Sequence, residues 1–416
     1  MGTLWTEVQL LKADPNLAPN VHAARSVIGR MIADKGLMSR REIVAATGLA
    51  RSTIDGHLEV LIDCGLVEDG GVGGPELRGR PAQMFKISPN RVVLIAEVRH
   101  QNCRVAIATL NKDVIADDIV TIPIEDGPEA VLGAVAERLD QLLKSQGFTR
   151  EDALAISVGL PGPVDAKLGY AVRPPHMPGW DGFGVCHAMA ERFRCDVVVD
   201  NDVNLMTLGE ARSFRGAHVP LLMINVDWGV GCGFVTEAGM LLHGAEGAAG
   251  DIGHVRVPAE PDSLCACGRR GCLESVASIT AISRKVSAVR GVDVTPAEVM
   301  ELLTRADAQA VDVVRRVAVH VGQVIADFVN FCNPARIVVS GEITECTEDF
   351  LAQIRSVVYQ QAQPLATRNL AIVHSSLRRD AGLVGGMVSA IEQVLSPRGI
   401  QYHTQAPSSD LLPLGL

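Results

Sequence analysis

The chain has 416 residues, 47% of them hydrophobic and 21% charged, with a formal net charge of −10. At about 100–200 residues per domain that is a globular chain of two to four domains, too apolar to be intrinsically disordered. It holds no run of about 18 apolar residues, no basic start leading into an apolar core, and only ten cysteines, so neither a membrane span, a secretory leader nor a disulfide framework is expected, and the expected location is cytoplasmic.

The charge is uneven. Residues 1–86 hold ten basic and ten acidic residues, so the remainder carries the whole acidic excess. A neutral, arginine-bearing head on an acidic body can still bind DNA through a local patch. Its modest nonspecific attraction points to action as a homodimer or homotetramer.

Up to residue 88 the pattern is helical. Val27, Ile28, Met31 and Ile32 fall at helix spacing. Ser39-Arg40-Arg41-Glu42 is a capping box that opens a short helix carrying Ile43, Val44 and Ala46, and Gly48 ends it. A third helix is expected from about Arg51 to Cys64, with Ile54, Leu58, Leu61 and Ile62 inward and Gly65 as its stop. Two extended segments, Leu66–Val67 and Met84–Ile87, flank a glycine-rich loop that ends in Leu77-Arg78-Gly79-Arg80-Pro81. This order is the winged helix-turn-helix plan. Its recognition helix would present Arg51, Ser52 and Thr53 at the N-terminal end, with Asp55 and His57 on the outward face. Ala50 stands where a polar cap is usual. Arg78 and Arg80 would form a basic wing tip suited to a minor groove.

After Pro89 strands alternate with helices. Val92–Val98, Arg104–Leu110 and Val114–Ile124 read as three strands, then a helix over about 128–145 and a strand at Ala153–Val158. Asp196–Val199 is a buried strand running into Asn201-Asp202. A second set follows: Leu221–Val226, the Gly229–Gly233 segment and Met240–His243 as strands, helices over about 274–331, a strand at Ala335–Val339 and a closing helix at Ala381–Val394. From Ser396 the chain is rich in Pro, Ser and Gln and is expected to be mobile. Two similar α/β halves imply a duplicated, two-lobed body with a cleft between the lobes. The expected domains are 1–88 for the head, 89–205 and 206–395 for the two lobes, and 396–416 for the tail.

The most specific local signal is His254, Cys265, Cys267 and Cys272. One imidazole and three thiols form a soft tetrahedral set with no vacant position, which suits structural Zn²⁺. Ordinary buried thiols or a disulfide are the alternatives. The other seven cysteines are scattered and read as small core residues. A second constellation, Asp200-Asn201-Asp202-Val203-Asn204, stands at a strand end, where a carboxylate can accept the proton of a hydroxyl.

Gly247–His254 followed by Cys265-Ala266-Cys267-Gly268-Arg269-Arg270-Gly271-Cys272-Leu273-Glu274 resembles the signature of the ROK family of sugar kinases and repressors. The resemblance covers about 90–395, and the head resembles that of the family's transcriptional regulators. It implies an actin-like, ribonuclease H-like body with a sugar site in the cleft. His254 then matches a histidine that both binds zinc and adjoins the sugar. Asp202 matches the base for phosphoryl transfer, and Asn201 and Glu274 match sugar contacts. Pro178-Gly179-Trp180 matches a loop near the sugar. Asp251 stands where the family usually has glutamate and His176 where it often has asparagine, and both bear on hexose specificity.

Binding of phosphate needs close backbone approach and therefore glycine at the first strand's turn. The family's kinases carry Asp-x-Gly-Gly-Thr there. The matching segment here, Ile95-Ala96-Glu97-Val98-Arg99-His100-Gln101, has no glycine, and Glu97 adds negative charge where triphosphate would sit. The second phosphate loop is kept in part as Gly229-Val230-Gly231-Cys232-Gly233, with Val230 for the usual threonine. On the adenosine side Gly341-Glu342 replaces paired glycines. The expectation is a regulator that binds operator DNA and answers to a sugar or sugar-derived metabolite, acting as a repressor without kinase activity. The alternative is an active ATP-dependent sugar kinase with an accessory DNA-binding head.

Overall fold

The structure, a computed structural model, describes residues 8–11, 21–72, 82–175, 177–213 and 218–404. The head consists of α1 (Val21–Lys35), β1 (Met38–Ser39), α2 (Arg40–Thr47), α3 (Arg51–Asp63), β2 (Val67–Val72) and β3 (Gln83–Ile87). The three strands form an antiparallel sheet in the order β1-β3-β2. The capping box closes in both directions: Ser39 Oγ accepts from the Glu42 N–H at 3.3 Å, and Glu42 Oε2 accepts from the Ser39 N–H at 2.7 Å. Gly48 takes a left-handed φ of 69°, which turns the chain sharply from α2 toward α3.

Two expectations for α3 are corrected. His57 is buried, 7% exposed, and Ile62 is 38% exposed. The inward face is Ile54, His57, Leu58 and Leu61, a run at intervals of three and four. Ile62 lies one step beyond that face, and His57 lies on it rather than on the DNA side.

The body opens with β4 (Val92–Val98), β5 (Cys103–Thr109), β6 (Val114–Val120), α4 (Pro128–Ser145), β7 (Ala153–Leu160), a small hairpin of β8 (Val164–Asp165) and β9 (Tyr170–Ala171), α5 (Val185–Phe193) and β10 (Asp196–Asn201). Its sheet runs β10-β7-β4-β5-β6, with β4, β5 and β6 antiparallel and β7 and β10 parallel to β4. The chain then crosses by α6 (Asp202–Ser213) to the second lobe. There β11 (Leu221–Val226) and β12 (Val230–Val235) form a hairpin, followed by α7 (Leu273–Ala277), α8 (Ile279–Arg290), α9 (Pro296–Thr304), α10 (Ala308–Cys332), β13 (Arg336–Ser340), α11 (Glu342–Cys346), α12 (Glu348–Gln361), α13 (Pro364–Thr367) and β14 (Ala371–His374). The second sheet, β12-β11-β13-β14, follows the plan of the first with one antiparallel strand fewer, a hairpin extended by two parallel strands. The strand expected at Met240–His243 is reduced to a single bridge between Val235 and Leu241.

The last two helices are α14 (Ala381–Val394) and α15 (Pro397–Thr404). α14 returns to the first lobe and packs on α6, β4 and β7. Its crossing with α6 is close: a Cβ on Gly385 would stand 1.7 Å from the Leu205 carbonyl oxygen, so only glycine fits. The segment after Ser396 was expected to be mobile, but its first part is α15. Pro397 starts that helix, Ser396 Oγ accepts from the Gly399 N–H at 2.9 Å, and Ile400 is fully buried.

The break at residue 88 marks a change of architecture but not of core. Ile28, Ile32, Ile54 and Leu58 of the head share one hydrophobic cluster with Val93, Ile95, Val388 and Ile391 of the body. Polar contacts reinforce it. Ser26 Oγ donates to the Leu395 carbonyl at 2.5 Å, and Arg30 reaches the carbonyls of Leu395 and Glu392. Lys112, itself buried, pairs with Asp34 of α1 at 3.1 Å.

Candidate functional site

Between the lobes lies a cleft of about 1060 Å³. Asp202 starts α6 at its floor, half-buried, with its Oδ1 accepting from the Val203 N–H at 2.8 Å. Burial, joined by repulsion from Glu97 and Asp227, pushes its carboxyl up to about 7. Such a carboxylate can accept a proton near neutral pH. Asp227, at the tip of the β11–β12 hairpin, is pushed up to about 6 by burial and then by Glu342.

Asn201 lines the cleft but is largely engaged in holding the backbone. Its Nδ2 donates to the Gly162 carbonyl at 2.8 Å, and its Oδ1 accepts from the N–H groups of Val203 and Asn204. It therefore caps α6 and fixes where Asp202 points. Asp200 accepts from Asn204 Nδ2 at 2.8 Å and pairs with His243 Nε2 at 2.7 Å, and this hydrogen bond raises the histidine's pKa. Among the described residues, Asn204 Oδ1 and Asn225 Oδ1 are buried without a partner, and both residues line the cleft. Asn225 had no signal in the sequence; only its place beside the hairpin tip brings it here.

The four expected metal ligands come together, with all donor atoms within 4.8 Å of one another. Cys267 Sγ and Cys272 Sγ are 3.8 Å apart, and Cys265 Sγ lies 3.7 Å from His254 Nδ1. Tetrahedral zinc with Zn–S bonds of about 2.3 Å sets its sulfurs roughly 3.8 Å apart, so the set fits such an ion. Gly268, at a left-handed φ of 84°, lets the Cys265–Cys272 loop double back. The other nitrogen of the His254 ring, Nε2, faces Asp251 Oδ1 at 3.9 Å on the cleft side. Glu274 bridges the two regions: Oε1 is 3.8 Å from Cys265 Sγ, and Oε2 accepts from the Val230 N–H at 3.4 Å. Asn201, Asp202, Asp251, His254 and Glu274 thus all line one cleft. Trp180 does not; it is fully buried, and its Nε1 donates to the Ile124 carbonyl at 3.1 Å. His176 lies outside the described residues.

The matched phosphate-loop segment is closed in an unforeseen way. Glu97 is only 6% exposed and is gripped by Arg99 Nη2 at 2.9 and 2.8 Å. A Cβ on Gly382, in the first turn of α14, would come within 2.5 Å of its carboxylate. Glu97 is therefore a paired, packed carboxylate, not a bare charge in the cleft.

In the head, Arg51, Ser52 and Thr53 are exposed at the start of α3, and Ala50 makes no side-chain cap. Arg40 pairs with Asp55 and lies 5.4 Å over the Phe85 ring, which locks α2, α3 and β3 together. Burial and the nearby Arg25 charge lower the pKa of His57. The wing arginines, Arg78 and Arg80, lie outside the described residues. Cys103, Cys186, Cys195 and Cys232 are buried and Cys64, Cys332 and Cys346 partly so.

A helix-turn-helix head on a duplicated α/β body, with a polar interlobe cleft bordered by a Cys₃His cluster, defines a DNA-binding protein built on a sugar-kinase-like fold. The ROK family profile matches residues 98–393, and that of the bacterial regulatory protein, arsR family, matches residues 24–69. The chain is 28% identical over 365 residues to the DNA-binding transcriptional dual regulator NagC of Escherichia coli strain K12, covering 85% of this chain and 88% of that one. It is 32% identical over 279 residues to a glucokinase of Halalkalibacterium halodurans, covering 63% of this chain and 83% of that protein. Its fold matches that of a ROK family transcriptional regulator homologous to the Escherichia coli MLC protein, with a TM-score of 0.77, 24% identity and coverage of 92% and 99% of the two chains. The chain belongs to the ROK family. The match to NagC covers 85% of this chain and the match to the glucokinase 63%. Among the described residues no helix is long and apolar enough to cross a membrane.

Proposed function

We propose that this chain is a transcriptional repressor that binds operator DNA as a homodimer or homotetramer and answers to a sugar or sugar-derived metabolite in the cleft. The observation that carries this reading is the shared core between the helix-turn-helix head and the two-lobed body. A head packed on α14 and α15 follows the lobes. Effector in the cleft shifts the population of lobe arrangements and with it the spacing of paired heads. Coupling of this kind is typically about 1–3 kcal/mol. Asn201, Asp202, Asp251, His254 and Glu274 would receive the effector's hydroxyls. His254, Cys265, Cys267 and Cys272 would hold structural Zn²⁺. Arg51, Ser52 and Thr53 would meet the major groove, and Arg78 and Arg80 the minor groove.

No kinase activity is part of this reading, because Glu97 and Arg99 fill the place where phosphates need glycine backbone. The specific observation that favours the second reading, an active sugar kinase with a DNA-binding head, is the place of the Asp202 carboxyl at the start of α6 on the cleft floor. The test is operator binding across a panel of sugars and sugar phosphates, run beside a Mg-ATP turnover assay on the same panel. Operator release or recruitment by one compound, without sugar phosphate formation, supports the regulator. Turnover that Asp202→Asn abolishes supports the kinase.

A further inference from the structure

Two hairpin tips meet across the cleft. Arg99–Asn102 joins β4 to β5 in the first lobe, and Asp227–Gly229 joins β11 to β12 in the second. His100 on the first and Trp228 on the second stand ring against ring, with centroids 5.6 Å apart and planes inclined at 34°. Trp228 is 43% exposed, so the contact lies at the mouth of the cleft and not in a core.

A polar strap runs beside it. Arg99 Nη2 and Arg104 Nη1, both of the first lobe, donate to the Arg379 carbonyl at 3.3 Å each, and Arg104 Nη1 also reaches Asp380 Oδ1 at 2.5 Å. The Arg379 guanidinium turns the other way, 3.8 Å from Glu342 and 3.6 Å from Glu345 of α11 in the second lobe. This loop, between β14 and α14, is itself held from beneath. Glu210 of α6 is fully buried and accepts from Ser375 Oγ, Ser376 Oγ and the Leu377 N–H at 2.5, 2.9 and 3.0 Å.

We propose that the His100–Trp228 stack and the Arg379 strap form a latch between the lobes, built from side chains in the half of the cleft next to Glu97. The latch holds the lobes together through protein side chains and one backbone carbonyl. It sets the starting population on which any effector acts, so a ligand needs to supply only the difference between latched and open arrangements. The inference goes beyond the regulator reading, since it concerns the body alone and holds with or without an operator.

The test uses the full chain without ligand or DNA. His100→Ala, Trp228→Ala, the double variant and Arg379→Ala are compared by small-angle scattering. The expected result is a larger radius of gyration in each variant, with the double variant no more open than either ring variant alone, because removing one ring already breaks the stack. Arg379 is 70% exposed along its side chain, so its replacement leaves folding intact and tests the strap separately. Acrylamide quenching gives a second measure: His100→Ala should increase the quenching of Trp228, taken as the difference from Trp228→Ala. An unchanged radius in all four variants, or unchanged quenching in His100→Ala, overturns the latch.

Discussion

Arg212 Nε meets Glu392 Oε1 at 2.8 Å, joining the end of α6 to the end of α14 beneath the head. The pair is largely shielded, with side chains 8% and 16% exposed, and the same Glu392 oxygen accepts from the Leu11 N–H at 2.7 Å. Both helices begin at the cleft, one at Asp202 and the other beside Gly382, so this node is where cleft and head share a support. Removing one partner of a buried pair typically costs about 3–5 kcal/mol, because the other is left charged and unpaired. Arg212→Ala should therefore lower stability by about 3 kcal/mol in denaturant unfolding, and Glu392→Gln by less, since the amide oxygen can still accept from Arg212 Nε and the Leu11 N–H although the charge and the bond at Oε2 are lost. Equal, small losses in both would show that the pair is not the support described.

The Cys₃His cluster gives a metal prediction. Freshly purified protein should carry about one Zn²⁺ per chain by elemental analysis, because a closed N/S site contributes directly to folding. Cys267→Ser should lower metal content and thermal midpoint together, and a chelator should reproduce the loss in the parent. Metal-free parent protein with an unchanged midpoint would leave the cluster as thiols only.

At the DNA face the structure separates two residues that the sequence placed together. Arg51 is exposed at the start of α3, whereas His57 lies in the core of the head. Arg51→Ala should weaken binding to a mapped operator by about 1–3 kcal/mol if it reads a base, with folding unchanged. His57→Ala should instead lower the unfolding midpoint. A fully folded His57→Ala variant with selectively weakened operator binding would return that residue to the interface.

What the sequence disclosed follows the range of the forces involved. The Cys₃His cluster was legible because three of its members close a local loop in which Gly268 and Gly271 set the turns. The helix at 128–145 was legible because Pro128 begins it and Val131, Leu132, Val135 and Leu139 repeat at helix spacing. α15 was not, since Pro, Ser and Gln give a disordered composition and what holds it is its packing on α1 and α14, with Ile400 buried in the head's core. The shared core was equally hidden. Gly29 lies against Leu395, a pairing that no local pattern encodes. In the cleft, Asp202 and Glu274 stood out by motif, but Asn225 has an ordinary strand context, and the grip of Arg99 on Glu97 depends on the hairpin turning its side chains inward.

Asp202 provides a pH signature independent of any ligand. Its unfolded carboxyl titrates near 4, and the folded one is pushed up to about 7 by burial and by Glu97 and Asp227. Between those values the folded state binds more protons than the unfolded state, so this residue's contribution to stability falls as pH rises from about 4 to about 7. Asp202→Asn keeps the shape and removes the titration. His243, raised by its hydrogen bond to Asp200, also loses stabilisation as pH rises, but it is common to both proteins and cancels in their difference. Denaturant midpoints of parent and variant should therefore nearly coincide at pH 4, diverge in favour of Asn up to pH 7, and run parallel above it. A constant offset over the whole range would mean that the Asp202 carboxyl titrates alike in the folded and unfolded protein, and that the cleft floor is wetter than its burial implies.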